Sequence, residues 1–564
     1  MSLVGFSASA RFVPFTMRLV ACALSLISTA VIASAAEVTK PRLVVVVSID
    51  QFPAEYLTRM RKGFAADGFF NAVSARGASF VECHHSHAFT ITGPGHSVLC
   101  SGASPGATGI IDNDWFDRTT GKTMYCVSDP SVRLVGANGD KSMSPKSLEI
   151  GTLGDEMKLA SNGRSKVLGV ALKDRASILM AGHMADAAYW FDANSNSWVT
   201  TTYYRPALPD YLRAYNETGR AKAFAGKDWN LLLDEKLYDL YYPDNAPFET
   251  NVAGIGRSFP RTLPKADAKD YWKAMPTTPY GSEMTLEVAR LVAEEEQLGQ
   301  DDDTDLLCIN LSSNDYIGHA FGPYSLEVQD MTYRTDRMLG AFTKFLDEKV
   351  GAGRWTLALS SDHGVAPVPE HALAMRLPAR RVPSEHFDAL RKSMEETLVK
   401  HFGSPADEKK KYIRHLDSNM AYLDADLPEL AGARFVEAQG LVRDALLKDE
   451  AIYAAFTRAE LTAGGNETEL FVRMRLSFNQ RRSGDVLFCM KPYYIAGATT
   501  ATHGSPWTYD THVPLLWLGA GVRPGTYERA VSPAHLGPTM AKLLGVEAPS
   551  GATVEALREV IEQQ

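Results

Sequence analysis

The chain has 564 residues, of which 45% are hydrophobic and 22% are charged, and its formal net charge is -9. This balance is typical of a globular protein and excludes a disordered or fibrous chain. The acidic net charge argues against a broad nucleic-acid-binding surface, so we expect no nucleic-acid partner.

The N-terminal segment has the features of an export signal. Arg11 and Arg18 precede an apolar run at residues 19–33, and small residues follow at positions 34–36. A basic start, a short apolar run and small residues before a cleavage point are the order of a secretory signal peptide. The sequence therefore predicts a signal peptide at residues 1–36.

A membrane anchor is the alternative interpretation of this segment. Its apolar run is short compared with the roughly 20 residues that a membrane span needs. We therefore expect a mature chain of residues 37–564, in the periplasm or outside a bacterial cell, with no stable membrane span. Met17 directly precedes Arg18 and is an alternative start to Met1.

The cysteines limit the redox and metal chemistry of the chain. Cys22 would leave with the signal peptide, so five remain and at least one is unpaired in a monomer. The remaining five are Cys83, Cys100, Cys126, Cys308 and Cys489. One or two disulfides could form after export. The sequence has no C-x-x-C pair, which excludes a zinc ribbon and a thioredoxin-type site.

Five apolar runs predict strands buried on both faces of one sheet. They lie at residues 43–50, 166–172, 305–312, 355–362 and 514–519. Helical patterns lie between them, at residues 286–297, 325–350 and 534–544. This alternation predicts an α/β fold with a doubly wound, mixed but mainly parallel sheet and helices on both faces. In such folds, ligands bind beyond the carboxyl ends of the strands.

Two stretches fit this core poorly, and we predict that both are insertions covering the site of a single catalytic domain. Residues 187–285 are rich in Tyr, Trp, Asn and Pro and show no clean buried strand. Residues 380–495 carry charged helical patterns and one strand-like run at residues 469–476.

Carboxylates and imidazoles follow the predicted strands or lie in the adjoining loops. They are Asp50, Asp315, His319, Asp362, His363 and His503. Each of them alone is more typical of a turn, a cap or a loop hydrogen bond. As a set in one fold they indicate two divalent ions, because oxygen and imidazole ligands without thiolate suit zinc in an open, catalytic geometry. Asp315 and His319 share one face if their segment is helical.

Thr92 is the candidate nucleophile. The small residues around it let the backbone approach a ligand closely. A hydroxyl is a poor nucleophile at its ordinary pKa, and coordination to zinc would activate it. Thr90 and Ser97 are chemically equivalent rivals, and a helix-capping threonine is the structural alternative.

The ordered motifs resemble the alkaline phosphatase superfamily, and within it the PafA-like bacterial phosphomonoesterases, relatives of the type I phosphodiesterases and nucleotide pyrophosphatases. The motifs are Asp50, residues 92–96, residues 109–115, residues 173–175, residues 315–319, residues 362–364 and residues 503–504. The resemblance covers nearly all of the chain from about residue 42. It implies an alkaline-phosphatase-like fold, two Zn²⁺ ions and small-molecule phosphate monoesters as substrates.

The resemblance also implies a role for each motif residue. One zinc ion would be held by Asp315, His319 and His503. The other would be held by Asp50, Asp362 and His363, and would contact the Thr92 oxygen. Asn113, Lys173 and Arg175 would bind the phosphoryl oxygens, and hydrolysis would pass through a phosphothreonine intermediate.

Two of these assignments have rivals. His512 competes with His503, which we prefer because the family's ligand histidine is typically followed by glycine. Lys173 and Arg175 would point to one face of a strand, whereas the alternative for this pair is a surface ion pair with Asp174.

Other functions fit the motifs less well. A phosphodiesterase or nucleotide pyrophosphatase of the same superfamily is the main alternative. Lys173 and Arg175 favour a dianionic monoester over it, because a diester has one fewer anionic oxygen. A sulfatase would need a modifiable residue in place of Thr92 and an arginine in place of His96. An exported metal- or phosphate-binding protein is the non-enzymatic alternative.

Overall fold

The computed structural model describes residues 40–139 and 142–561. The predicted signal peptide, residues 1–36, and Cys22 lie outside the described residues. Within the part that is described, every helix is too short or too polar to cross a bilayer.

The strands of the described chain are short, and most belong to one large sheet. They are β1 Leu43–Ile49, β2 Ala78–Phe80, β3 Asp114–Asp117, β4 Lys122–Tyr125, β5 Leu134–Val135, β6 Val167–Ala171, β7 Ala187–Asp192, β8 Ser197–Thr201, β9 Asp228–Trp229, β10 Arg261–Thr262, β11 Asp305–Leu311, β12 Trp355–Ser360, β13 Arg380–Val382, β14 Ile413–Leu416, β15 Met420–Leu423, β16 Ile452–Thr457, β17 Val486–Met490, β18 Tyr494–Ala496, β19 Leu515–Gly519 and β20 Gly525–Tyr527.

The α-helices range from single turns to about six turns in length. They are α1 Glu55–Arg59, α2 Phe69–Arg76, α3 Thr92–Ser101, α4 Pro105–Thr108, α5 Leu153–Ala160, α6 Asp174–Ala181, α7 Asp210–Glu217, α8 Tyr271–Ala274, α9 Pro279–Glu295, α10 Ser313–Phe321, α11 Leu326–Leu346, α12 Pro369–Ala374, α13 Ser384–Phe402, α14 Ala433–Leu446, α15 Arg458–Ala463, α16 Glu469–Ser477, α17 Thr508–Thr511 and α18 Leu536–Leu544.

The central sheet has the strand order β20-β2-β19-β12-β1-β11-β6-β7-β8-β5. Its middle strands β12, β1, β11, β6 and β7 are parallel to one another. On either side of them the direction changes, because β19 is antiparallel to β12 and β8 is antiparallel to β7. The predicted mixed, mainly parallel sheet is therefore confirmed.

Helices cover both faces of this sheet, as predicted. Every residue of β1 is buried, which is typical of a strand between two helical layers. Alternate residues point to opposite faces. Val45 and Val47 pack in one cluster with residues of α9 and α11. Val44 and Val46 pack in a second cluster with residues of α3, α5 and α18.

The carboxyl edge of the parallel strands collects the polar residues that the sequence singled out. Asp50 follows β1, Asp362 follows β12, and Lys173 follows β6, while α10 begins after β11. The residue His503 reaches the same edge from the other direction. It precedes β19, and the residues before an antiparallel strand lie where the parallel strands end.

Residues 514–519 form a strand of the sheet, as predicted, and it runs antiparallel to its neighbour β12. Two other sequence expectations about individual elements need correction. The stretch 187–285 does contain buried strands, because β7 and β8 extend the central sheet. Residues 469–476 form helix α16 instead of a strand.

Much of the stretch 380–495 builds a separate layer. Strands β14, β15, β17 and β16 form an antiparallel four-stranded sheet in that order. Residues of α13 and α14 pack with it in a hydrophobic cluster of their own, which includes Leu390, Met394, Val442 and Phe488. Short helices and the β9–β10 pair fill the stretch between β8 and α9.

The five cysteines of the described chain are all buried and free. The disulfides that the sequence allowed are therefore not formed among them. Cys100 of α3 and Cys308 of β11 come closest, with 4.0 Å between their sulfur atoms. The core of this fold is held by the two helical layers and not by cross-links.

Candidate active site

Six predicted ligand residues meet at the carboxyl edge of the sheet in two groups. We call Asp50, Asp362 and His363 the Asp50 cluster, and Asp315, His319 and His503 the Asp315 cluster. In each cluster the three candidate ligand atoms lie within 4.8 Å of one another. The sequence thus identified side chains that the fold brings together from positions far apart along the chain.

The Asp50 cluster is completely buried. His363 Nε2 lies 3.2 Å from Asp362 Oδ2 and 3.7 Å from Asp50 Oδ1. Both of these oxygens lack a hydrogen-bond partner. Burying a carboxylate oxygen without a partner is costly, and a cation between these oxygens would remove that cost.

Burial and neighbouring charges shift the pKa values in the Asp50 cluster. Desolvation raises the pKa of Asp50 to about 8, and the negative charge of Asp362 adds to that rise. Burial alone would lower the pKa of His363, but the Asp362 carboxylate beside it raises that pKa to about 9. A positive charge within this cluster is therefore electrostatically favourable.

The Asp315 cluster is nearer to solvent. His319 Nε2 lies 3.1 Å from Asp315 Oδ1, and His503 Nε2 lies 3.7 Å from the same oxygen. The His319 side chain is 29% exposed, whereas that of Asp315 is 5% exposed. Asp315 and His319 lie on one face of α10, as their spacing predicted. This cluster therefore forms the solvent side of the site.

The three imidazoles are held in the orientation that a metal ligand needs. In each ring Nδ1 contacts a backbone carbonyl oxygen, and these oxygens belong to Gly364 for His363 (2.9 Å), Ala501 for His319 (2.8 Å) and Thr90 for His503 (2.8 Å). A carbonyl oxygen can only accept, so Nδ1 carries a hydrogen and donates, and Nε2 is the ring nitrogen that faces the cluster and can bind a metal ion. Such second contacts fix the tautomer of histidines that bind metal ions.

The donor atoms of both clusters fit a zinc ion. Each cluster offers carboxylate oxygen and imidazole nitrogen from three residues, which is the number of protein ligands in catalytic zinc sites. Two further observations favour metal binding. Carboxylate oxygens of Asp50 and Asp362 are buried without a hydrogen-bond partner, and the Nε2 atoms of the three histidines face the clusters. A metal cofactor is consistent with this chemistry.

Lys173 lies between the two clusters. Its Nζ is 2.9 Å from Asp50 Oδ2 and 2.6 Å from Asp315 Oδ2. Burial would lower the pKa of this ammonium, but the Asp315 and Asp50 carboxylates hold it above the ordinary value. Lys173 is therefore charged, and it links the clusters electrostatically.

Arg175 is placed differently from the sequence expectation. Lys173 is the residue before helix α6, and Arg175 lies in the first turn of that helix, so the two do not alternate along a strand. Arg175 Nη1 lies 3.3 Å from the hydroxyl of Tyr125, which donates a hydrogen bond of 2.5 Å to Asp174. Tyr125 thus orients Arg175, which is not on the surface.

Thr92 is the hydroxyl residue that faces the clusters. Its Oγ1 lies 3.4 Å from His363 Nε2, and its side chain is buried. The hydroxyls of the rivals donate to carbonyl oxygens elsewhere, at 2.8 Å for Thr90 and 2.7 Å for Ser97. Thr92 is the first residue of α3 and is not its cap, because the N-cap position belongs to Ile91.

Asn113 is tied to the start of the same helix. Its Oδ1 accepts a hydrogen bond of 2.8 Å from the backbone N–H of Gly93. Asn113 directly precedes the β3–β4 hairpin, which also carries Tyr125. One hairpin therefore positions both Asn113 and, through Tyr125, the guanidinium of Arg175.

His512, the rival of His503, lies outside both clusters. Its Nε2 is 2.8 Å from the backbone oxygen of Val81, and its ring stacks on His84 at a centroid distance of 4.5 Å. The structure therefore brings His503, and not His512, to the other candidate ligands.

Two polar residues of the site were given no role by sequence reasoning. Gln51 Nε2 donates a hydrogen bond of 2.6 Å to Asp315 Oδ1. His96 Nδ1 lies 2.9 Å from the backbone oxygen of Thr92 and 3.3 Å from Asp362 Oδ2. The feature of the sequence that could have indicated them is their position, since Gln51 follows Asp50 and His96 lies in the same motif as Thr92.

Helix α3 packs directly on the backbone of Asp362. A Cβ atom at Gly95 would overlap the carbonyl oxygen of Asp362. Gly95 therefore permits the approach that brings Thr92 to the Asp50 cluster.

Known proteins share this fold and much of this sequence. The chain is 35% identical to a protein of Myroides odoratus named "Calcium-transporting ATPase", over 95% of this chain and 97% of that protein. It is 34% identical to alkaline phosphatase PafA of Elizabethkingia meningoseptica, over 93% of this chain and 95% of that protein. A crystal structure of wild-type PafA matches with a TM-score of 0.85 at 33% identity, covering 93% of this chain and 100% of that chain.

The resemblance that the motifs indicated is confirmed by these similarities. The match to PafA extends over nearly the whole chain and therefore includes the central sheet and the segments that surround the site. Residues 44–513 match the family described as type I phosphodiesterase / nucleotide pyrophosphatase, and the chain belongs to this family.

Proposed function

We propose that this protein is a zinc-dependent alkaline phosphatase that hydrolyses phosphate monoesters through a phosphothreonine intermediate. The observation that carries the proposal is the position of Thr92, whose hydroxyl lies beside His363 at the edge of two adjoining clusters of ligand-type side chains. Curated relatives named alkaline phosphatase, including PafA and PhoK of Sphingomonas sp, support it.

The proposed cofactor is two Zn²⁺ ions, one in each cluster. Asp50, Asp362 and His363 would hold one ion beside the Thr92 oxygen. The other would be held by Asp315, His319 and His503. When bound, the ions would supply Lewis-acid stabilisation to the entering and leaving oxygens of the phosphoryl group.

The residues of the chain would divide the chemistry among them. Thr92 Oγ1 loses its proton and attacks phosphorus, so that an O–P bond forms to the threonine while the P–O bond to the organic group breaks, and the departing alkoxide takes up one proton to leave as the alcohol. Water then cleaves the phosphothreonine in a second displacement and releases phosphate. Most of the catalytic effect in such reactions comes from positioning and charge stabilisation.

Three side chains, those of Asn113, Lys173 and Arg175, would bind the phosphoryl oxygens. The Asn113 oxygen is occupied by Gly93, so its amide nitrogen is the atom that can donate. Lys173 provides a point charge and Arg175 a planar fork of donors.

The two cationic side chains, Lys173 and Arg175, favour monoesters over diesters. A monoester dianion has one more anionic oxygen than a diester, and Lys173 and Arg175 can both compensate that charge. A phosphodiesterase remains the alternative function in the same family. In our proposal, residues 37–564 form one exported catalytic domain, and the insertions 187–285 and 380–495 cover its site.

A combined metal and rate measurement tests the function. Purified protein should contain zinc, lose activity with a chelator and regain it with added Zn²⁺. It should hydrolyse 4-nitrophenyl phosphate at least about 100-fold faster, as kcat/KM, than bis(4-nitrophenyl) phosphate. The opposite preference would identify a phosphodiesterase, and turnover without metal would contradict the zinc assignment.

A further inference from the structure

A cavity of about 430 Å³ opens beside the Asp315 cluster. Its size lies within the range of about 300 to 1,000 Å³ that is typical of small-molecule sites. Its lining includes Leu172, Phe191, Val252, Trp272, Tyr316 and His319. The lining is mainly apolar, yet it includes His319, a member of the Asp315 cluster.

The direction of the reaction relates this cavity to the substrate. Thr92 Oγ1 lies next to His363, so the attacking oxygen enters on the side of the Asp50 cluster. Attacking and leaving oxygens are roughly in line during phosphoryl transfer. The leaving oxygen therefore points toward the Asp315 cluster, and the organic group attached to it points toward the cavity that His319 lines.

We propose that this cavity binds the organic group of the phosphate monoester and favours an aromatic group. The inference rests on the proposed function, because the direction of the leaving group follows from it. Aromatic side chains form much of the wall. The rings of Phe191 and Trp272 lie 5.4 Å apart at 41°, a spacing at which aromatic rings interact favourably.

Tyr316 connects the cavity to the phosphate-binding side chains. It neighbours Asp315 on α10, and its ring lies 5.2 Å from Lys173 Nζ. The ring of Tyr316 thus borders both the cavity and the ammonium of Lys173, which would bind the phosphoryl group. The phosphate and the organic group of one small monoester could therefore be bound at the same time.

The charge of the cavity suits a phosphate ester. Its lining contains no acidic residue among those the structure describes, so no carboxylate there would repel the phosphate. Lys273 borders it and is paired with Asp270 at 3.0 Å. The hydroxyls of Thr250, Thr277 and Thr499 offer hydrogen bonds to polar substituents of an aromatic group.

The two walls of the cavity come from different parts of the fold. Leu172 directly follows β6, Phe191 belongs to β7 of the central sheet, and Tyr316 and His319 belong to α10. Val252 and Trp272 belong to the stretch between β8 and α9, which is part of the predicted first insertion. This insertion would therefore select among monoesters without contributing to the chemistry.

Truncation of Trp272 tests the assignment. The Trp272→Ala variant should lower kcat/KM for 1-naphthyl phosphate by about tenfold through the loss of apolar contact area. It should change kcat/KM for methyl phosphate by less than about twofold, because that ester is too small to use the cavity. Comparing variant with wild type on each substrate removes the intrinsic reactivity difference between the two esters.

A matched control and a second variant separate binding from folding. Tyr280 is also half-buried, but it stacks on Phe224 and lies outside the cavity lining, so Tyr280→Ala should leave the ratio of the two substrates unchanged. Val252→Phe should fill the cavity and lower only the naphthyl phosphate rate. The Val252 variant provides the answer if Trp272→Ala does not fold.

The outcomes distinguish this inference from the function on which it rests. An active wild-type enzyme whose cavity variants affect both esters equally would overturn the inference and leave the phosphatase function intact. A wild-type protein that hydrolyses neither ester would overturn the proposed function, and the inference with it.

Discussion

The imidazole rings of His363 and His503 stack on each other, with centroids 3.4 Å apart and planes at 11°. The two residues belong to different clusters, so the clusters share a wall made of these rings. Lys173 also contacts a carboxylate of each cluster. The proposed ions would therefore lie close enough for both to contact one phosphoryl group, as a two-metal mechanism requires.

Replacement of the nucleophile is the most direct test. Thr92→Ala should reduce kcat for phosphate monoesters by at least about a thousandfold, because the rival hydroxyls of Thr90 and Ser97 donate to carbonyl oxygens and are not placed to replace it. Zinc content, measured by elemental analysis, should stay unchanged. Ser97→Ala is the control, since the Ser97 hydroxyl donates to Pro94 within the helix. Normal turnover by Thr92→Ala would disprove the assignment.

The two rival histidines should differ in metal binding. His503→Ala removes an Nε2 atom that points into the Asp315 cluster, and it should lower the zinc content by about one ion per chain. His512→Ala removes a contact with the backbone of Val81 and should keep the full zinc content. Equal zinc loss in both variants would contradict the choice of His503 over His512 as a zinc ligand.

Arg175 should matter most for dianionic substrates. Arg175→Ala should lower kcat/KM for a monoester by about 100-fold and for a diester by less, because the lost charge faces the additional anionic oxygen. Arg164→Ala is a suitable control, since Arg164 forms an exposed ion pair with Asp303. An equal effect of Arg175→Ala on both substrates would show that Arg175 does not recognise the monoester charge.

Close packing at Gly95 should make this position sensitive to a single methyl group. Gly95→Ala should destabilise the fold by about 1 to 3 kcal/mol, because the new Cβ overlaps the backbone of Asp362. Gly440, inside α14, has open space around it, so Gly440→Ala should stabilise by about 0.5 to 1 kcal/mol. Urea unfolding of both variants measures the difference, and a shift of the same sign in both would contradict it.

Asp112 should make the protein less stable at high pH. Burial and the nearby charge of Asp417 raise the pKa of Asp112 from 3.8 to about 7. The folded chain therefore holds this proton more tightly than the unfolded chain, and the resulting stability is lost as the pH rises through about 7. Asp112→Asn should raise the unfolding midpoint at pH 8 and change it little at pH 4.

Asp129 provides a control of opposite sign. Burial would raise its pKa, but hydrogen bonds from Ser131 and Ser144 lower it to about 2. Its contribution to stability is present above pH 3.8 and is lost as the pH falls through about 2. Asp129→Asn should therefore lower the unfolding midpoint at pH 8. Midpoints that move in the same direction in both variants would contradict these pKa shifts.

The positions of the candidate ligands could be predicted from sequence because each is tied to a strand. Asp50 and Asp362 directly follow apolar runs, and parallel strands end at the same edge. The direction of β19 could not be predicted, because a strand buried on both faces shows the same pattern in either direction. His503 was a candidate because its loop adjoins a predicted strand, and the choice of His503 over His512 came from the motif resemblance and not from topology.

Local periodicity misled in two places. The run at residues 469–476 looks strand-like, but its buried side chains Phe471 and Met474 are three positions apart, and that spacing belongs to a helix. Lys173 and Arg175 are two positions apart and suggested a strand, whereas the chain turns into α6 between them. In both cases the tertiary contacts of the segment decide its conformation, and a short window of sequence does not contain them.

The supporting residues were beyond sequence reasoning for a different reason. Gln51 donates to Asp315, and His96 lies beside Asp362, so each contact depends on packing between segments that are distant in the chain. No local pattern marks such a contact. Only the folded geometry shows that Gln51 holds the Asp315 carboxylate and that His96 is a neighbour of Asp362.

The late position of β19 in the chain affects when the protein can become active. The ribosome makes Asp50 early and His503 late, and the Asp315 cluster is incomplete until β19 has paired with β12. A nascent or C-terminally truncated chain therefore has only part of its catalytic centre, even when Thr92 and α3 are already present. The Asp315 cluster can therefore gain its third candidate ligand only after the chain has been synthesised through β19 and that strand has joined the sheet.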